Sequence, residues 1–224
     1  MAVITTLIDK QDSNELVRNK IAAILTTEIV NQRALAVTAG KPDPDLWFFD
    51  VYIERTRAWE VLTDSDGSEA GELKNGLVNV MFESDSFDNA GSMNLTKQRA
   101  HGTFFLDCYA HINATDALAG DEATAKDSER IARLVRNIIM YGDYAYLGLQ
   151  GLVTRRYINK RDKLQPDIQQ TGLENVIVTR VSLEVDYEEY TKEAAGVTME
   201  EVLGECTLSD TGQVLFEYQE ITTI

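Results

Sequence analysis

Apolar and polar residues alternate most regularly between Thr103 and Ile112, where Phe104, Leu106, Cys108, Ala110 and Ile112 share one face and Thr103, Asp107, Tyr109 and His111 the other, with Phe105 the exception. A period of two over that length predicts a half-buried strand. From Ser128 the period changes: Ile131, Leu134, Val135, Ile138, Gly142 and Ala145 recur at spacings of three and four, which predicts a long helix from Ser128 to about Tyr146. A strand feeding a helix of matching apolar stripe makes a two-layer core, so the central stretch sets an α+β class.

The flanking segments extend the pattern. Asp12 and Ser13 are candidate caps for an amino-terminal helix with Glu15 in its first turn and Leu16, Val17, Ile21, Ile24, Leu25 and Ile29 at helical spacing, ending by Gly40. Pro42 and Pro44 then forbid helix, and alternation from Trp47 predicts a strand from Leu46 to about Leu62. The polar run Thr63 to Gly76 reads as a long connection, a projecting arm between antiparallel strands. Leu77 to Glu83 is expected as the second strand and Asp85 to Lys97 as loop. The first three strands are expected to form an antiparallel meander. Asn113 to Lys126 reads as a loop or loose helical turn, and Asn175 to Tyr187 as the last strand, with Ser182, Glu184, Asp186 and Glu188 forming a water-facing stripe. Beyond Tyr190, Cys206 to Leu208 and Val214 to Tyr218 predict a small hairpin around Gly212. The expected architecture is a mainly antiparallel four-stranded sheet covered by two helices (residues 1–190), followed by an acidic extension with a β-hairpin (residues 191–224).

Charge sharpens the picture. The 224 residues carry a formal net charge of −16, which argues against general nucleic-acid affinity, since that comes from cations displacing phosphate counterions. From Glu184 onward 11 carboxylates face Lys192 alone. The single basic cluster is Arg155, Arg156, Lys160, Arg161 and Lys163. It has three readings: a solvated loop, a DNA contact working against the field of the whole chain, or a contact for the acidic surface of an identical neighbour. Cys108 and Cys206 fit buried thiols better than a disulfide framework, and neither a signal peptide nor a transmembrane run is expected.

Candidate chemistry is sparse. His101 and His111 flank one strand without the companions of a metal motif, and no nucleophile elbow, phosphate loop or dinucleotide fingerprint occurs. Asp50 with Glu54, or Glu184 with Asp186, are the nearest approach to nuclease carboxylates, but solvated positions on a strand's polar face are the default for both. The expectation is a protein that is not an enzyme and holds no cofactor or metal.

The order of helix, three strands with an acidic loop between the first two, long helix and final strand, over about Ser13 to Tyr190, resembles the tail terminator or tail completion proteins of long-tailed bacteriophages. The resemblance rests on element order, not on a signature motif, and carries no functional residue over. It implies a virion structural protein, assembled in the host cytoplasm, that forms a hexameric ring, caps the tail tube at its final length and joins it to the neck. Its partners would be copies of itself, the tail tube protein, a neck or connector protein and, where one exists, a sheath. Genome DNA would pass without specific binding, and no membrane is involved. The basic cluster is then the expected subunit interface, and Asp64, Asp66, Glu69, Glu184, Asp186 and Glu188 the expected channel-facing carboxylates, with the hairpin around Gly212 reaching a partner. Another neck, connector or baseplate component is the alternative, and a small phage nuclease the alternative of another class.

Overall fold

The computed structural model describes residues 10–62, 76–88, 97–112, 119–166, 176–190, 202–207 and 214–220. The chain divides into two units, the larger spanning Asp9–Tyr190. Its elements are α1 (Ser13–Thr38), β1 (Asp50–Ile53), β2 (Leu77–Phe87), β3 (Lys97–His111), α2 (Gly120–Ile139), β4 (Val153–Leu164) and β5 (Val176–Tyr190). They build an α+β structure around a five-stranded sheet of order β1-β2-β3-β5-β4.

The α+β class holds, and the expected mainly antiparallel four-stranded sheet is corrected in two particulars. First, β1 pairs parallel to β2, Asp50 opposite Leu77 and Ile53 opposite Val80, so the sheet is mixed and no meander forms. The segment between Ile53 and Leu77 exceeds the dozen or so residues a parallel crossover needs, and part of it, a 3-10 turn at Ala58–Leu62, packs Ala58 and Leu62 against Leu77, Tyr109 and Val178. Second, the basic cluster lies on a fifth strand, β4, antiparallel to β5. It occupies a sheet edge, where charged side chains reach water and discourage unwanted strand pairing.

The predicted strand Leu46–Leu62 shrinks to the four residues of β1. Pro44 opens a 3-10 turn to Trp47, and beyond Ile53 the backbone turns at Glu54, whose φ is +52°. The buried Asn79 side chain holds the exit by accepting from Arg55 N at 3.1 Å and donating to Arg55 O at 2.8 Å. Glu54 is itself pinned, its Oε1 accepting from Phe82 N at 2.8 Å and Arg18 Nη1 at 3.0 Å.

The second predicted helix shifts towards the amino terminus, starting at Gly120 and ending at Ile139. Its early turns bury Thr124 and Ser128 in place of apolar residues. Thr124 Oγ1 accepts from Ile112 N at 3.0 Å, and Ser128 Oγ bonds Thr179 Oγ1 at 3.0 Å. A stripe satisfied by hydroxyl bonds carries no hydrophobic periodicity. The first helix follows expectation, although Asp12 makes no side-chain cap; Glu189 of β5 accepts from Ser13 N at 3.0 Å instead, a carboxylate at the positive end of the helix dipole.

Both helices cover one sheet face. Val17, Ile21 and Leu25 of α1 and Ile131, Val135 and Ile139 of α2 enclose Phe104, Leu106, Leu183 and Tyr187. Gly102 allows the close approach of Tyr187: a Cβ there would stand 2.6 Å from Tyr187 Cε1. The Tyr187 hydroxyl donates to Asp85 Oδ2 at 3.0 Å. Among the described residues, the opposite face has an apolar cover only at the end under Ala58–Leu62.

In the second unit, β6 (Val202–Thr207) and β7 (Val214–Glu220) pair antiparallel. Their pairing is that of the expected hairpin, with strands longer than predicted; the turn around Gly212 lies outside the described residues. Among the described residues no helix is long and apolar enough to cross a membrane.

Candidate functional site: the open sheet face and its basic edge

Antiparallel register sets β3 beside β5 so that cations meet anions. Lys97 and Arg99 approach Glu188 Oε1 at 3.9 and 3.5 Å. His101 places Nδ1 2.9 Å from Asp186 Oδ1 and Nε2 3.0 Å from Asp88 Oδ1. Thr103 donates to Glu184 Oε2 at 2.9 Å. Further along, Arg180 binds Asp107 through Nε and Nη2 at 2.7 and 2.8 Å, its guanidinium 4.1 Å above the Phe105 ring. Asp107 is only 2% exposed, so this bidentate pair replaces water around a buried carboxylate; removing either partner leaves a charge that costs about 3–5 kcal/mol.

The stripe Ser182, Glu184, Asp186 and Glu188 does share one strand face, as the alternation requires, yet it does not stand open to water. Asp186 and Glu188 are 8% and 6% exposed and Ser182 is buried, because long side chains of the neighbouring strands lie over them. Arg155 completes the set from β4, its Nε 2.9 Å from Asp186 Oδ2 and its guanidinium above Tyr157. Asp64, Asp66 and Glu69 lie outside the described residues.

Strand alternation divides the basic cluster between two faces. Arg155 turns to the open face. Arg156 turns to the helix side, where Nε, Nη2 and Nη1 donate to the carbonyls of Ile139, Tyr141 and Ala145 at 2.8, 2.8 and 2.9 Å. It closes the end of α2, where helix carbonyls lack intrahelical partners, and burial lowers its pKa. Lys163 bonds Glu129 Oε1 at 2.6 Å and holds that carboxyl below its ordinary range. Lys160 pairs with Asp162 at 2.8 Å. The five cations are therefore not one patch. Arg156 is taken up within the fold; Arg155, Lys160, Arg161 and Lys163 remain exposed along the edge.

The partners on β3 were not singled out in the sequence, although a signal was there. Lys97, Arg99 and His101 alternate with spacing two, as do Glu184, Asp186 and Glu188, and two strands with complementary alternating charges are candidates for neighbours. His101, which has no companions of a metal motif in the sequence, bridges two carboxylates. With Asp186 as the main cause and Asp88 second, its pKa is raised above the ordinary 6.5. Cys108 is a free thiol buried in the core, and burial pushes its pKa well up. Asp50, the first of the carboxylates compared with a nuclease, is half-buried with a pKa raised by desolvation; Glu54 bonds the backbone of Phe82. Among the described residues no group of three or more His, Cys, Asp or Glu side chains is arranged to hold a metal ion.

No protein-family model matches the sequence, and comparison with curated proteins finds no similar one.

Proposed function

We propose that the protein is a virion structural component of the tail terminator or tail completion kind: a ring of identical subunits, six in number, that caps a phage tail tube and joins it to the neck. The observation carrying this reading is the edge strand β4. It sets Arg155, Lys160, Arg161 and Lys163 along one margin of a chain whose net charge is −16. Such a molecule presents a basic margin to an acidic neighbour, and a contact between unlike surfaces repeats head to tail, closing into a ring when its rotation divides the full turn. The protein then works by assembly, without catalysis or cofactor, and its partners are further copies of itself, the tail tube and the neck or connector.

In this reading part of the open sheet face, with Glu184, Asp186 and Glu188, or the acidic segment bearing Asp64, Asp66 and Glu69, turns to the channel. A wall whose cations are already bound to carboxylates offers few sites for counterion release, so DNA phosphate passes without adhering. Negative-stain imaging of the purified protein is the test. Closed rings, alone or on the ends of tail tubes, are expected; a protein monomeric by light scattering both alone and with tail tubes would sink the reading. A ring structure with the stripe Glu184, Asp186 and Glu188 on its outer wall and the helix-covered side of the sheet, with Arg156 and Arg161, towards the channel would reverse the assignment of faces.

A further inference from the structure

On the helix side of β4 a recess of about 550 Å³ opens between α2 and the sheet edge, with Arg133, Arg136, Lys160 and Arg161 around it and Ile158 and Val181 lining its apolar part. Arg133 and Arg136 are one helical turn apart and point the same way. On the strand, a register shift between Ile158 and Lys160 breaks strict alternation, and the consecutive Lys160 and Arg161 both reach the recess. Lys160 has Asp162 beside it; Arg133, Arg136 and Arg161 form no ion pair among the described residues, although Arg133 and Arg161 act on Glu129 through their fields. Four cations around one hollow repel one another, and an anionic occupant relieves that repulsion.

We propose that this recess is the docking site for the acidic end of a second copy of the chain, residues 193–220. Three observations select that occupant. The carboxylates on β5 are already bonded to Lys97, Arg99, His101, Thr103 and Arg155. The segment beyond supplies seven further carboxylates against Lys192 alone. Apolar residues stand among them, as in Glu201-Val202-Leu203-Gly204-Glu205 and Leu215-Phe216-Glu217, so one segment offers both carboxylates for the guanidinium groups and apolar side chains for Ile158 and Val181. An inorganic anion or a nucleic-acid backbone leaves that apolar lining unused. A two-stranded hairpin is marginal by itself, and docking supplies the missing surface. The inference rests on the ring reading for the second copy and names the two surfaces that meet.

The test is a charge-swap on the full-length protein, read by sedimentation velocity. Arg133→Glu with Arg136→Glu, and separately Glu200→Lys with Glu201→Lys and Glu205→Lys, should each weaken self-association by about tenfold or more, as expected for lost charge pairs at an interface. Mixing the two variants should restore association, because the reversed charges then meet between copies. Circular dichroism and thermal unfolding of the Arg133/Arg136 variant should match wild type, since both side chains are exposed. Association unchanged in both variants, no recovery on mixing, or a monomeric wild type overturns the proposal. So does a DNA duplex or inorganic phosphate that binds the wild type, fails to bind the Arg133/Arg136 variant and leaves self-association intact. Rings that persist in both variants refute the recess while keeping the ring; recess-dependent dimers or open chains in the micrograph refute the ring while keeping the recess.

Discussion

His101 shows how one side chain ties protonation to the fold. Both ring nitrogens face carboxylates, Asp186 on β5 and Asp88 just past β2, with Arg155 on the far oxygen of Asp186. Only the imidazolium donates to both; the neutral ring donates once and turns a lone pair towards the other carboxylate. The folded pKa is therefore raised above 6.5. For a group shifted in that direction, the stabilisation is complete below the unfolded value of about 6.5 and is lost as pH rises through the folded value. Imidazole NMR across this range should give His101 a midpoint above 6.5, and wild-type stability should decline over that interval while a His101→Gln variant does not follow it. A midpoint at or below 6.5 would show that the two carboxylates do not hold the proton.

At the scale of elements, α2 and β4 are joined by a side chain more than by their connection. The carbonyls of Ile139, Tyr141 and Ala145, from the last turn of α2 and the 3-10 turn at Gly142–Tyr144, converge on Arg156. A lysine keeps the charge but has a single nitrogen, so it cannot reproduce the planar fork. Arg156→Lys should cost about 1–3 kcal/mol, the range for buried acceptors left unsatisfied, visible as a lower urea midpoint with unchanged slope; an unaltered midpoint would mean that water serves those carbonyls equally well. Charge reversal at Arg156 would thus strain the fold as well as any interface, and reversal at Arg155 would set a like charge against the buried Asp186, whereas Lys160 and Arg161 are exposed at the edge. The same edge explains why so polar a strand forms at all. Its inner residues Val153 and Ile158 join the core, and its cations lie above acidic neighbours or beyond the sheet.

For the whole molecule, the dominant fact is charge distributed unevenly over a protein of net −16. Like molecules carrying that charge repel at long range, whereas a contact between unlike patches attracts at short range, two terms that salt screens differently. At about 0.1 M ionic strength the screening length is about 10 Å, and at 1 M about 3 Å. Association through the basic margin should therefore weaken between these salt concentrations, whereas an interface held by apolar burial would tighten or stay constant. Sedimentation velocity across the series separates the two.

The periodicity of α1, the alternation of β3 and β5 and the α+β class were legible in the chain because each is a local pattern: one face of an element meets the core and its neighbours meet water. Strand β4 was not legible, since at a sheet edge nearly every position except Val153 and Ile158 is free to be charged. Nor was the early half of α2, where Thr124 and Ser128 satisfy the buried face by hydrogen bonds. The direction of β1 depended on a crossover that no periodicity encodes, although the length of the connection to Leu77 permitted it. The composition of the charged site was local as well: the acidic alternation on β5 and the cations between Arg155 and Lys163 stand in the sequence. Which charges meet was decided only by register, which sets Arg99 opposite Glu188, His101 opposite Asp186 and Asp107 opposite Arg180, and by the packing of α2 on the sheet, which brings Arg133 and Arg136 to Lys160 and Arg161. Coulomb energy depends on distance in space, and only the tertiary structure turns separation along the chain into that distance.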